Sequence, residues 1–124
     1  MELKAETALG TKKKVIGEIE ALRTSDELLP SFRILKKSLK GKILVCLGKV
    51  SKGIIEKARA LDVVGIVCQE VEEEELIRIK KELKSSFSPT LFAFLVVNEK
   101  IELDKIEGKM ATIDVEKKRL IVEI

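Results

Sequence analysis

The chain of 124 residues contains no His, no Trp and no Tyr. Without imidazole a Ser–His–Asp triad cannot be built, nor a Cys–His nucleophile pair, and a phosphohistidine carrier is excluded outright. Most catalytic zinc sites use at least one imidazole, and two cysteines do not make up the shortfall. The only aromatics are Phe32, Phe87, Phe92 and Phe94, so the platforms that stack single-stranded bases are missing. Three of the four sit in or beside one apolar run and read as core. Cys46 and Cys68 are too few for a disulfide scaffold. No apolar run reaches transmembrane length, and Met1 to Gly10 lacks the charged-then-apolar pattern of a leader. Gln69 and Asn98 are the only amides among many Lys and Glu, a composition typical of hyperthermophile proteins. These absences lead us to expect a cytoplasmic protein of a thermophilic prokaryote, with no cofactor and no metal.

What is present describes one soluble globular domain spanning residues 1–124. Hydrophobic residues make up 45% and charged residues 36%, and 24 Lys and Arg face 21 Asp and Glu, a formal net charge of +3. That balance argues against a nucleic-acid or membrane-surface partner.

Glu2 to Thr7 and Lys14 to Leu22 read as strands, with Gly10 and Thr11 turning between them. Gly17 inside the second marks a bulge or a close backbone approach. Thr24, Ser25 and Asp26 are cap-type residues, Glu27 to Leu29 a short helical turn, and Ser31 to Leu39 a helix opened by Pro30 and closed by Gly41. The centre is clearer. Lys42 to Leu47 (KILVCL) and Val63 to Cys68 (VVGIVC) are near-continuous apolar runs, as in strands buried on both faces. Between them Ile54, Ile55, Ala58 and Leu61 recur at helical spacing. Such a βαβ unit makes the two strands parallel, with a right-handed crossover. Val71 to Ser85 follows as a helix with an apolar stripe of Leu76, Ile79 and Leu83, and Glu74 can pair with Arg78 at i,i+4. Thr90 to Val97 (TLFAFLVV) is a third buried strand. A short apolar stretch from Ile101 to Ile106 precedes a terminal hairpin, Met110 to Val115 and Arg119 to Ile124, turning near Glu116 to Lys118.

The sharpest site candidate is the turn Gly48-Lys49-Val50-Ser51-Lys52-Gly53. It joins the carboxyl end of a buried parallel strand to a helix N-terminus, where open α/β sheets bind ligands. Exposed N–H groups and two lysines there attract an anion. Gly48 and Gly53 have the outer spacing of a dinucleotide fingerprint, and Glu70 lies where such folds keep a ribose-binding acid. Val50 replaces the middle glycine, however, and its Cβ holds a pyrophosphate away. No Gly-Lys-Ser or Gly-Lys-Thr completes a Walker A loop. The plainer alternative is a helix capped by Ser51 with solvated lysines beside it.

Other clusters have plainer readings too. Glu72 to Glu75 is either a metal-binding run or a dipole-favoured helix start, and consecutive helical residues fan around the axis instead of converging. Lys12 to Lys14 and Lys36 to Lys42 are either a basic patch or solvated faces. Cys46 and Cys68 lie on strands that can be neighbours, as buried thiols or as a disulfide, and neither adjoins an activating base. Lys105 and Lys109 weakly suggest a modified carrier lysine.

The segment Gly41 to Glu75, GKILVCLGKVSKGIIEKARALDVVGIVCQEVEEEE, resembles an uncharacterised prokaryotic family in Gly41 to Leu47, Lys57 to Leu61 and Gly65 to Val67, with Pro89-Thr90-Leu91 extending the match. That resemblance implies a βαβ segment inserted in a barrel-sandwich frame similar to biotinyl/lipoyl domains. Where that family has paired glycines after both central strands, this chain has Cys46-Leu47 and Cys68-Gln69. Gly-Lys-Ile-Leu-Val-Cys, a helix and Val-Gly-Ile-Val are also similar to protease-associated domains, which have a swivelling β/β/α fold. Gly108, Asp114 and Val122 resemble the closing pattern of swivelling phosphotransfer domains, whose phosphorylated His is missing here.

The expected fold is α/β: a small central, mostly parallel sheet with a βαβ core, plus a terminal antiparallel β layer, swivelling β/β/α or barrel-sandwich-like. The expected function is a non-enzymatic binding or assembly domain, partnered by another copy of the chain or by a larger protein. The alternative is a small anion- or nucleotide-binding protein using Gly48, Lys49, Ser51, Lys52, Gly53 and Glu70. A third reading is a group carrier on Lys105 or Lys109.

Overall fold

A computed structural model describes residues 1–11, 13–22, 39–85 and 92–123. The expected helices at Glu27 to Leu29 and Ser31 to Leu39 fall largely outside that set, as do Phe32, Phe87, Lys12 and Pro89-Thr90-Leu91. The described strands are β1 (Glu2–Gly10), β2 (Val15–Leu22), β3 (Ile43–Cys46), β4 (Lys49–Val50), β5 (Gly65–Cys68), β6 (Glu70–Val71), β7 (Ala93–Val97), β8 (Met110–Asp114) and β9 (Arg119–Val122). The described helices are α1 (Lys52–Ala60), α2 (Glu73–Ser85) and α3 (Leu103–Ile106).

Seven strands close into a mixed barrel in the order β1-β7-β5-β3-β2-β8-β9. This corrects the expected α/β class. The parallel neighbours β3, β5 and β7 are present, but the terminal strands do not form a separate layer beside them. They complete the barrel wall. The reason lies in β1 and β2, which each serve two partners. Glu2 to Lys4 pair antiparallel with β9, and Ala5 to Gly10 with β7, across an irregularity between Ala5 and Thr7. Val15 to Glu18 pair antiparallel with β8, and Ile19 to Leu22 run parallel to β3. Each long strand thus joins the antiparallel half of the wall to its parallel half. Closure leaves the seven wall strands no open sheet edge.

The apolar runs follow from two separate cores. Alternate residues of the parallel strands, Ile43, Val45, Val67, Ala93, Leu95 and Val97, point into the barrel, which is filled by side chains. Their neighbours Leu44, Cys46, Ile66, Cys68, Phe94 and Val96 point outward into a second core under α1 and α2. Helix α1 contributes buried Ile54, Ile55 and Ala58, while α2 contributes buried Ile79, flanked by the partly buried Leu76 and Leu83. The four-residue α3 brings buried Leu103 and Ile106, with Ile101 before them, to the barrel interior.

Gly17 is the site of a close backbone approach: a Cβ there would lie 2.6 Å from the Gly41 carbonyl oxygen. Gly10 ends β1 at φ +123°, a conformation that L side chains rarely adopt. Arg78 pairs with Glu75, Glu82 and Glu56 instead of the expected Glu74.

Candidate functional site

The segment from Gly48 to Gly53 does not remain a simple turn. Gly48 takes φ +77°, and Lys49–Val50 form β4, a two-residue strand parallel to β6. Lys49 lies opposite Glu70 in that register, but the Glu70 side chain borders a separate concavity from the one that Lys49, Ser51 and Lys52 share. The Gly48 carbonyl accepts the N–H groups of Gln69 and Glu70 at 3.2 and 3.1 Å. Gln69 then fixes the loop from its side chain. Its Oε1 accepts the Gly48 N–H at 2.7 Å, and its Nε2 donates to the Glu99 carbonyl at 3.5 Å. In the sequence Gln69 is one of two amides and stands, with Cys68, where the similar family has paired glycines after the second central strand. Its position directly after a buried strand was the available signal.

Ser51 caps α1 as expected, its hydroxyl accepting the Ile54 N–H at 3.3 Å. Val50 is buried beneath the turn. Lys49, Ser51 and Lys52 line an open concavity of about 410 Å³ together with Glu72, Glu74 and Glu75. Three carboxylates therefore share the cleft with two ammonium groups. Lys49 donates to Glu72 Oε1, a contact that raises the lysine above its ordinary pKa, with the negative charges of Glu72 and Glu70 adding to the effect. Lys52 stands 4.0 Å from Glu56 one helical turn on. Both expected anion-binding cations thus have carboxylate neighbours within the chain.

A larger concavity of about 700 Å³ lies between α1, α2 and the start of β7. Its two arginines are both engaged by carboxylates. Arg59 donates to Glu82 at 2.6 Å and lies 5.0 Å over the Phe92 ring. Arg78 donates to Glu75, Glu82 and Glu56 at 2.9, 3.1 and 3.2 Å. These residues belong to two helices about twenty positions apart, and no local pattern announces the network. Among the described residues no group of three or more Cys, Asp or Glu is arranged to hold a metal ion.

Cys46 and Cys68 are free thiols buried in the outer core. Burial pushes the Cys68 thiol up to about 12, and Cys46 is shifted in the same direction by burial and by its neighbour Cys68. Lys105 sits on α3 with Glu102 Oε2 at 2.6 Å. Lys109 precedes β8, its carbonyl accepting the Ile19 N–H at 2.8 Å. Neither lies at the tip of the terminal hairpin, which is formed by residues 115–118 with Lys118 at φ +50°.

Neither a family model nor a curated protein sequence matches the chain. The barrel itself is shared with solved structures. The crystal structure of aconitase X from Thermococcus kodakaraensis, in its holo-form, is similar with a TM-score of 0.62 and 16% identity, over 100% of this chain and 99% of that one. Streptomyces coelicolor RraAS2, an unusual member of the RNase ES inhibitor RraA protein family, gives 0.50 and 11%, over 99% of this chain and 73% of that one. A MccF-like protein from Streptococcus pneumoniae, in complex with AMP, gives 0.51 and 11% over 96% of this chain, which spans 44% of that protein's chain. At these identities the likeness is one of fold. No helix among the described residues is long and apolar enough to cross a membrane.

Proposed function

We propose that this chain is a non-enzymatic assembly domain, a self-contained barrel that works by contact with another protein chain. The observation that carries this reading is the asymmetry of the barrel's outside. Over β3, β5 and β7 the outer side chains are buried in the core shared with α1 and α2. Over β2, β8 and β9 the described residues place no helix, and Ile16 and Met110 stand 62% and 42% exposed on adjacent strands, whereas on the helical side α2 exposes Ile77 at 50%. Large apolar side chains on an uncovered sheet face mark a contact surface. The fold match supports the reading, since a barrel of this kind accounts for nearly a whole chain in the aconitase X structure. The test is the state of the chain in fresh extract of cells that make it. It should elute in an assembly heavier than its 13.9 kDa monomer, and an Ile16→Asp variant should lose that assembly. Elution of the unaltered chain at monomer mass in extract, together with a monomer in the purified protein at about 500 μM, would overturn the reading.

A second reading retains an anion at the β4–α1 turn. The observation favouring it is that Lys49, Ser51 and Lys52 face one open concavity. An anion there competes with Glu72 for Lys49, so binding should strengthen in a Glu72→Gln variant and vanish in Lys49→Ala/Lys52→Ala. Thermal shifts with phosphate, sulfate and mononucleotides measure both effects, and no shift with any of them would remove this reading.

A further inference from the structure

The face that the described residues leave bare has an internal order of its own. Three rows of side chains cross it. In the middle row Ile16 lies opposite Thr112, Thr112 opposite Ile121, and Ile121 opposite Glu2. On one side of that row Asp114 lies opposite Arg119 and Arg119 opposite Lys4, and exposed Lys14 extends the row just before β2. On the other side Glu18 lies opposite Met110, whose carbonyl accepts the Glu123 N–H at 2.9 Å. One flank of the apolar stripe thus carries three cationic side chains and one carboxylate, and the charged side chains of the opposite flank are carboxylates, with the N-terminal ammonium donating to the Val122 carbonyl beside Glu123 at 3.2 Å.

Asp114 is 4% exposed and its Oδ1 accepts the Lys117 N–H, so its charge is partly spent inside the hairpin. Arg119 donates to Glu2 at 3.2 Å, and its Nε, buried without a hydrogen-bond partner, lies 3.9 Å from Asp114 Oδ2. Among the described residues Lys14, Glu18 and Glu123 make no ion pair within the chain. A two-fold axis along the middle row turns this pattern into its own complement. It sets Ile16, Thr112 and Ile121 against their symmetry mates, Lys14 against the mate of Glu18, and Arg119 against the mate of Glu123. Isologous interfaces have this self-complementary form, and opposite charges meeting at the rim set orientation and exclude other registers.

We infer that the face formed by β2, β8, β9 and the start of β1 docks a second copy of this chain, face to face, through the Ile16–Thr112–Ile121 stripe. This rests on the assembly reading above and names the partner. A convex barrel face offers a small interface, and small interfaces associate at micromolar strength or weaker.

Sedimentation velocity from about 5 to about 500 μM tests it over the range such an interface requires. The unaltered protein should shift from monomer to dimer across that range. Ile16→Asp, at an exposed position that leaves both cores intact, should raise the dimer Kd at least about tenfold, since it sets two like charges against each other on the two-fold axis. Lys14→Glu and Glu18→Lys should each weaken the dimer, because each turns two attractive contacts repulsive. The double variant Lys14→Glu/Glu18→Lys should restore it to within about twofold. Circular dichroism melts confirm that the variants are folded. A strict monomer at every concentration, or a dimer indifferent to all four variants, would overturn the inference. A monomeric purified protein whose heavier assembly in extract is still lost on Ile16→Asp defeats the second copy alone and leaves the assembly reading standing. Monomers in both settings defeat both.

Discussion

Cys46 and Cys68 stand side by side on the parallel strands β3 and β5, one position beyond the paired Val45 and Val67, and both point into the core beneath the helices. The Cys68 thiol lies 3.7 Å from the Leu95 carbonyl of the next strand. Their environment favours the neutral thiol, because a thiolate there would be desolvated.

Two outcomes are expected from that burial. A thiol reagent should leave both cysteines unmodified in the native protein and react with both in denaturant. Stability should also fall in alkali. Below about pH 9 the thiols are protonated in both folded and unfolded chains, so they contribute no pH dependence. Between about 9 and about 12 the unfolded chain releases protons that the folded chain retains, so stability drops as pH rises. The slope is about 1.4 kcal/mol per pH unit for each thiol. Urea melts at increasing pH should show this slope, and Cys46→Ala/Cys68→Ala should lack it. Fast native labelling of either thiol would contradict the burial.

The backbone makes firmer demands at two glycines. A Cβ on Gly10 would lie 2.1 Å from the Phe92 carbonyl oxygen, at a φ that already disfavours side chains. Gly10→Ala should therefore cost about 3 kcal/mol or more, as strain and clash combine. Gly17→Ala meets the Gly41 carbonyl and should be strongly destabilising as well. By contrast Gly48→Ala and Gly108→Ala meet no nearby atom and carry only the cost of a positive φ, about 1 kcal/mol. Equilibrium denaturation ranks the four, and equal costs would refute the assignment.

The local elements were largely legible. Apolar runs, helical spacing and the Ser51 cap placed β3, α1, β5, α2 and β7 close to their observed bounds, and Gly17 announced its close approach. The barrel was not legible, because period-two alternation reports which face a residue takes and not which strand lies beside it. The pairing of Ala5 with Val97, or of Ile19 with Ile43, leaves no local mark. The same limit hid β4 and β6, which are two residues each and exist through their mutual pairing. At the candidate site the lysines were visible but their partners were not. Glu72 reaches Lys49 only because β4 and β6 run together.

Arg78 ties the two covering helices. It lies on α2 and reaches Glu56 on α1, besides Glu75 and Glu82 on its own helix. Its side chain is 28% exposed, so solvent screens the network and the contribution is modest. Arg78→Ala should destabilise the fold by about 1 kcal/mol at low ionic strength, and by less in high salt. A cost unchanged by salt would assign the loss to packing of the arginine stem.

The last prediction probes the barrel interior, where β5 and β8 face each other without being neighbours in the wall. A Cβ built on Gly65 would lie 2.4 Å from Ile113 Cδ1, with the Ala93 carbonyl oxygen next at 3.3 Å. The obstacle is the far end of a flexible side chain, unlike the fixed carbonyl at Gly10. Ile113 is fully buried among well-packed neighbours, however, so its rotation is resisted. Gly65→Ala should accordingly cost about 1–3 kcal/mol, the usual penalty of overpacking. Ile113→Val removes the obstructing Cδ1 and should cost about 1 kcal/mol alone, by leaving a small void. Combined, the added methyl fills the space the lost methyl vacates. The double variant should therefore be more stable than the sum of the two losses implies, by about 0.5–3 kcal/mol of coupling. Chemical denaturation of the four proteins in the cycle measures that coupling. Strict additivity would mean that Gly65 and Ile113 do not meet across the barrel.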